Sequence, residues 1–350
     1  MSHLGNYEIK TNDWRKTLRQ NNRRTIIVIT LFFLIYCAIG LLVDMYLYSS
    51  AYPDASLSQL FIALITFQLF PIATFIMLII AAISLWVSYA LSDKLMLLGT
   101  NYQKITPETA HDVNEQQLYN VIQEMKIAAG LRYMPSVYII DANYMNAFAS
   151  GYSEKSAMVA ITRGLMEKLN RDELQAVMAH ELSHIRHLDI KITLTASLLA
   201  NMTIIVLDIL FYNALFSRRQ SGGRSKNSLA SIIIILRYTL PIISAILILY
   251  LSRTRELMAD AGSVELMRNN QPLASALLKI HDDHTKHRDN YNVAYQQTPH
   301  ENVRREAYLY DPSYAGIHSM TSISDLFSTH PSLETRLEAI GIKQRQSNLN

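Results

Sequence analysis

Four long apolar runs interrupt an otherwise polar chain. They lie at 25–48 ("TIIVITLFFLIYCAIGLLVDMYLY"), 59–91, 190–216 and 228–251. Each can cross a hydrocarbon layer of ~30 Å, which takes ~20 helical residues. The pattern predicts transmembrane helices at 25–48 and 59–91, the second carrying Pro71. It predicts two further transmembrane or hairpin helices at 190–216 and 228–251. Within 192–216 and 228–251 each of these carries one charge, Asp208 and Arg237. In an antiparallel hairpin the two charges fall at similar depth, where an isolated charge is costly, so they are expected to pair. Charges lying at the interface because both runs end early are the alternative. The first run is too long for a cleavable signal and reads as an anchor.

The polar remainder falls into three pieces, 1–24, 93–189 and 252–350. In the middle piece, Leu118, Val121, Ile122 and Met125 recur at helical spacing, with Asp112 as cap and Gly130 as stop. "SVYIIDA" (136–142) and "SAMVAIT" (156–162) read as short strands. "NRDELQAVMAHELSHIRH" reads as a helix opened by a capping box of Asn170 and Glu173. No Gly or Pro occurs between Leu165 and Ser221, so nothing marks a boundary between this helix and the third run. In the last piece, 252–286 is helical in pattern, 288–320 is Tyr-rich and aperiodic and reads as loop, and Pro331 opens a final helix.

Charge sets orientation. Arg15, Lys16, Arg19, Arg23 and Arg24 precede the first run, whereas 49–58 has no basic residue. Positive-inside bias then puts 1–24 and the polar pieces in the cytoplasm. The basic loop "SRRQSGGRSK" between the last two runs disagrees if both cross fully. Half the residues are hydrophobic and 17% are charged, and a net charge of +3 gives no ground for a nucleic-acid partner. The single cysteine, Cys37, permits no disulfide framework.

The candidate chemistry is in "AVMAHELSHIRHLD", residues 176–189. His180 and His184, four apart on a helix, can aim two imidazoles at one ion. Glu181, turned away by about 100°, can act on water without being a ligand. A polar helix face with unrelated histidines is the competing reading. A catalytic zinc needs a third protein ligand and an open fourth position. The metzincin extension is absent, since His187 and Ile190 stand where Gly and His would be needed. "TRELMAD" supplies a distant acid instead. Glu256 completes a His₂Glu set, and Asp260, one turn later, can hold a ligand histidine from behind. The hairpin would bring Glu256 and His184 to the same membrane face. "HDDHTKH" (281–287) reads as a solvated helix face, and His187 and Asp189 as interfacial anchors.

Taken together, these features resemble the HtpX-type membrane zinc metallopeptidases, gluzincin-like relatives of the CAAX prenyl protease. The resemblance covers nearly the whole chain. "NAFASG" (146–151) is similar to the family's substrate-strand motif, "SRTRELMAD" to its third-ligand motif, and "FSTHPSLETRLEAI" to its H-P-x-x-x-x-R element. Ser150 stands where Thr is common, and Leu257 where an aromatic is usual. The resemblance implies one zinc per chain, held by His180, His184 and Glu256, with Glu181 as general base. It implies substrate contacts at Asn146, Ala147, Phe148 and Ala149, and places His330 and Arg336 near the reacting carbonyl.

The expected fold class is a mainly α-helical polytopic membrane protein with four hydrophobic segments and a cytoplasmic α+β zincin-like catalytic domain. The expected function is zinc-dependent endoproteolysis of misfolded or damaged membrane proteins at the bacterial inner membrane, with the lipid bilayer as its other partner. A site-2-type intramembrane protease and a non-catalytic scaffold or channel are the rivals. The polar "EKLNRDELQ" before His180 argues against the first.

Overall fold

A computed structural model describes residues 7–9, 14–217, 224–298, 304, 307–317 and 330–344. Most of the basic loop, the start of "FSTHPSLETRLEAI" and the end of the C-terminal tail lie outside the described residues. The chain begins with β1 (Tyr7–Ile9), then α1 (Trp14–Ala51), α2 (Leu57–Ile65) and α3 (Ile72–Leu97). Next come β2 (Tyr102–Ile105), α4 (Val113–Ala128), β3 (Ser136–Ile140), β4 (Ala147–Ser150), β5 (Met158–Thr162), α5 (Arg163–Lys168) and α6 (Arg171–His187). The rest is α7 (Asp189–Ser217), α8 (Arg224–Met267), α9 (Gln271–Lys286), α10 (Arg288–Gln297), α11 (Leu333–Ala339) and β6 (Ile342–Gln344). Two compact units result. One comprises residues 1–25, 89–191 and 251–350, the other 26–88 and 192–250.

The second unit holds the apolar helices. Among the described residues, four helices are long and apolar enough to cross a membrane, at Arg15–Ala51, Ile72–Leu91, Asp189–Leu215 and Ser228–Met267. The predicted span at 59–91 is not one helix. Helix α2 stops at Ile65, Phe67 takes a left-handed φ of 57°, and α3 starts at Ile72. Pro71 explains the break. It has no N–H to donate, and its ring disfavours helical backbone at Phe70. The new helix start is capped from α1. Asp44 Oδ1 accepts the Ala73 N–H at 2.8 Å, and Oδ2 accepts the Thr74 N–H at 3.0 Å and its hydroxyl at 2.7 Å. Gly40 permits this approach, because a Cβ there would lie 2.9 Å from Thr74 Oγ1. On the other two helices, Arg237 Nε donates to Asp208 Oδ1 at 2.6 Å, and the guanidinium lies 4.3 Å from the Phe211 ring centre.

The first unit is built on a four-stranded sheet in the order β2-β3-β5-β4. β3 and β5 are parallel, and the two outer pairs are antiparallel. β4 is therefore an edge strand. Helix α6 packs against α4, β4 and α9. Leu118, Val121 and Ile122 of α4 meet Leu174, Val177 and Leu182 of α6 and Leu273, Leu277 and Ile280 of α9 in one core. The caps on α4 and α6 are as the sequence predicts. Asp112 accepts from the Glu115 N–H at 2.7 Å, and Asn170 and Glu173 cap each other reciprocally. Glu173 also receives Lys279 Nζ at 2.6 Å and the Ser275 hydroxyl at 2.7 Å, which ties α6 to α9.

Two expectations for this unit are corrected. The stretch 288–320 is not all loop, for α10 occupies Arg288–Gln297. Its tyrosines form a second core with Tyr144, Phe148 and Tyr308. Tyr144 and Tyr295 stack at 4.2 Å, so aromatic burial supplies the order that periodicity does not announce. His284 is not on a solvated face. It is fully buried, with Nδ1 2.9 Å from the Ile280 carbonyl and Nε2 3.2 Å from the Tyr295 hydroxyl. Burial lowers its pKa to about 4, so it is a neutral core histidine.

Asp44→Ala should lower unfolding stability by about 1–3 kcal/mol, because two backbone N–H groups lose a buried acceptor. Thermal unfolding of the detergent-solubilised chain checks this.

Candidate metal centre

Helix α6 delivers two imidazoles to one point. His180 Nε2 and His184 Nε2 lie 3.1 Å apart. Glu256 comes from α8, with its carboxylate oxygens 3.7 Å from His180 Nε2 and 3.5 Å from His184 Nε2. These three residues form the one group of metal-ligating side chains found among the described residues, with ligand atoms all within 4.8 Å of one another. Tetrahedral zinc, with bonds of ~2.0–2.1 Å, sets its ligand atoms ~3.3 Å apart. The observed spacings match that size.

Tautomers strengthen the fit. His180 Nδ1 lies 3.0 Å from Asp260 Oδ1, and His184 Nδ1 lies 2.7 Å from Asp189 Oδ2. Carboxylates at both Nδ1 atoms assign the protons there, which leaves a lone pair on each Nε2. Three acceptors then converge, and among the described residues no protein donor is recorded between them. Such a donor set is suited to a cation.

The surrounding charges have clear sources. Asp260 is fully buried and paired bidentately with Arg336, at 2.9 Å from Nε and 2.7 Å from the terminal amino group. Burial works to raise the Asp260 carboxyl, but Arg336 and His180 hold it below its ordinary value. Arg336 also donates to the Leu309 carbonyl. Burial likewise opposes ionisation of Glu256, yet His330, His184 and Arg336 keep it low. His330 Nδ1 is 3.4 Å from Glu256, which raises the imidazole above its usual value against the effect of burial. Burial lowers the His184 imidazole to about 3, so it is neutral and ligand-competent. Glu181 is buried with both carboxylate oxygens lacking a hydrogen-bond partner of good geometry. Burial and then Glu256 push its carboxyl well above the usual range, with Arg336 and the Ala149 backbone opposing.

Ala149 belongs to the edge strand β4. The Asn146 carbonyl accepts the Thr162 N–H, so Asn146 faces β5, and alternation turns Ala147 and Ala149 to the outer edge. The Ala147 carbonyl is already taken by the Leu309 N–H at 2.8 Å. The Asn146 amide donates to the Tyr310 carbonyl at 2.9 Å and to the Tyr295 hydroxyl at 3.2 Å, and its oxygen accepts the Tyr310 N–H. Phe148 packs on Tyr308. Of the four residues expected to meet substrate, three have internal partners, and Ala149 faces Glu181.

Close approach of α6 and α8 makes the ligand geometry possible. A Cβ on Gly262 would sit 1.8 Å from Ser183 Oγ and 2.9 Å from Ser183 Cβ. One residue on, the Ser263 hydroxyl donates to the Ala176 carbonyl at 2.7 Å. Asp189 departs from its expected role as an interfacial anchor, being buried and bound to His184. Arg255 pairs with Asp189, another contact absent from the sequence reading. The adjacency of Arg255 to Glu256 was the available signal for it.

Two outcomes test this assembly. Gly262→Ala should cost about 1–3 kcal/mol of stability through overpacking, and adding Ser183→Gly should recover most of it. Arg336→Met leaves the buried Asp260 charge without its arginine and should cost about 3–5 kcal/mol. Denaturant unfolding of each variant reads both effects.

Residues 112–343 match peptidase family M48. A protein named "Protease HtpX homolog" from Helicobacter pylori (strain J99) is 36% identical over 328 residues, covering 94% of this chain and 98% of that one. A Burkholderia mallei (strain SAVP1) protein of the same name is 34% identical over 250 residues, covering 71% of this chain and 80% of its own. A solved structure titled "Crystal Structure of S. mikatae Ste24p" aligns with a TM-score of 0.48 at 18% identity, covering 90% of this chain and 65% of that one. With a family match across well over half its length and relatives aligned along nearly all of it, the chain belongs to peptidase family M48 and is a membrane metalloprotease.

Proposed function

We propose that the chain is a zinc-dependent endopeptidase of the bacterial inner membrane that cleaves misfolded or damaged membrane proteins. The observation that carries this reading is the convergence of His180, His184 and Glu256 beside the buried Glu181. Two imidazoles and a carboxylate are a donor set that suits zinc. When bound, zinc supplies Lewis acidity to the scissile carbonyl and to the attacking water.

The chain's own residues do the rest. Glu181 is the general base, taking a proton from water and returning it to the leaving amine. Burial raises its carboxyl, which favours holding a proton, and a dication among its neighbours would act in the opposite direction. The outer edge of β4 at Ala149 receives the extended peptide by strand addition, which sets the scissile bond beside Glu181. His330, whose imidazole Glu256 raises above its ordinary value, meets the negative charge developing on the carbonyl oxygen in this reading. Arg336 is committed to Asp260 and Leu309, which supports a role in holding Asp260.

Residues 1–24, 93–189 and 252–350 form the cytoplasmic part in this reading. The basic residues ahead of the first span support that side. A chain that carries, among its described residues, both this site and four helices long and apolar enough to cross a membrane suits substrates that are themselves anchored in a bilayer.

Glu181→Gln should lower cleavage of a model membrane substrate by ~10²–10⁴-fold, the usual contribution of a general base. Zinc content by elemental analysis should match the unsubstituted chain. Retained cleavage in that variant would overturn the mechanism.

A further inference from the structure

We propose that Asp189 and Arg255 form a second clamp on the metal centre, positioning His184 as Asp260 and Arg336 position His180. The inference rests on the reading of His184 as a ligand.

The backbone provides the first argument. In an unbroken helix, a residue five places beyond His184 is rotated ~140° away from it, at 3.6 residues per turn. Asp189 reaches His184 because the helix breaks between them. α6 ends at His187, and Leu188 adopts φ 55° and ψ 41°, with its N–H bonded back to the His184 and Ile185 carbonyls. Left-handed backbone is disfavoured for a residue with a Cβ, and glycine is its usual occupant. Here leucine holds it. The turn brings the Asp189 carboxylate 2.7 Å from His184 Nδ1.

The second argument is the counterion. Arg255 pairs with Asp189, and both side chains are about 95% buried, at 4% and 5% exposure. Arg255 also donates to the His187 carbonyl at 3.3 Å, so it closes the end of the ligand helix. It directly precedes Glu256, so one turn of α8 carries both a ligand and the clamp.

The third argument is the match between the two histidines. Each has its Nδ1 on a buried aspartate, and each aspartate is paired with a buried arginine. A carboxylate on Nδ1 sets the tautomer, fixes the ring plane and makes Nε2 a better donor to a metal. The arginine is the counter-charge that holds the carboxylate against the imidazole. Two aspartates from different elements, one sent by a helix break and one by α8, converge on the same task.

The test uses the full chain in detergent, with zinc affinity measured by competition against a chromogenic chelator. Asp189→Asn should weaken zinc binding ~10–100-fold, the range for loss of such an outer partner. Its KM should change less than ~3-fold, and the visible absorption of the cobalt-loaded protein should shift. A folded Asp189→Asn variant with unchanged zinc affinity overturns the proposal. If that variant does not fold, Asp189→Glu keeps the charge opposite Arg255 but displaces the oxygen from Nδ1. A folded Glu variant with weakened zinc binding supports the clamp, and one with unchanged affinity overturns it. Failure of both to fold makes the pair purely structural, and the proposal falls. An unsubstituted chain that binds no zinc overturns the reading of the site itself, whereas tight binding by every variant overturns this inference alone.

Discussion

Three lone-pair acceptors held within 4.8 Å, away from bulk water, are the constraint on which the catalytic unit depends. Imidazole nitrogens and a carboxylate do not gather without a cation or a framework that forces them together. The framework here is two helices locked face to face. Small residues at the crossing, Gly262 and Ser183 above all, let the backbones approach closely enough for Glu256 to meet both histidines.

Burial then multiplies the electrostatic consequences. Removing carboxylates from water favours their neutral forms, so each ionised acid needs a cationic partner. Asp260 has Arg336, Asp189 has Arg255, and Glu256 has His330 with Arg336 behind it. Glu181 is the exception. Among the described residues no cation pairs with it directly, and its carboxyl is displaced upward. The same desolvation that obliges its neighbours to pair raises this carboxyl, which is what the proposed role of proton carrier asks of it.

The apolar helices obey a related rule. Asp44 and Asp208 sit in segments otherwise suited to hydrocarbon, and each has a specific partner, the broken start of α3 for one and Arg237 for the other. Pro71 opens the gap that Asp44 fills, so a helix-breaking residue and a buried acid form a single local solution.

Features encoded within one or two helical turns were legible from sequence. The apolar runs, the capping boxes and the His180–Glu181–His184 face all follow from periodicity, which acts locally. Glu256 and Asp260 were also legible as candidates, because "TRELMAD" puts two acids one helical turn apart. The break at Pro71 was hidden inside continuous hydrophobicity, and the order in 288–297 inside a run without period. Tertiary structure alone decided the positions of Asp189, Arg255 and Asn146. Nothing in "HIRHLD" reveals that Leu188 turns left-handed, since leucine ordinarily resists it; the contacts gathered around His184 and Arg255 hold it there. Asn146 is bound to Tyr295 and Tyr310, partners about 150 residues away that no local pattern names. Sequence by itself determined the paired histidines and the helices that carry the candidate ligands, because those depend on spacing along one element. Only the folded chain decided what stands behind each ligand, because buried charges select partners by proximity in space.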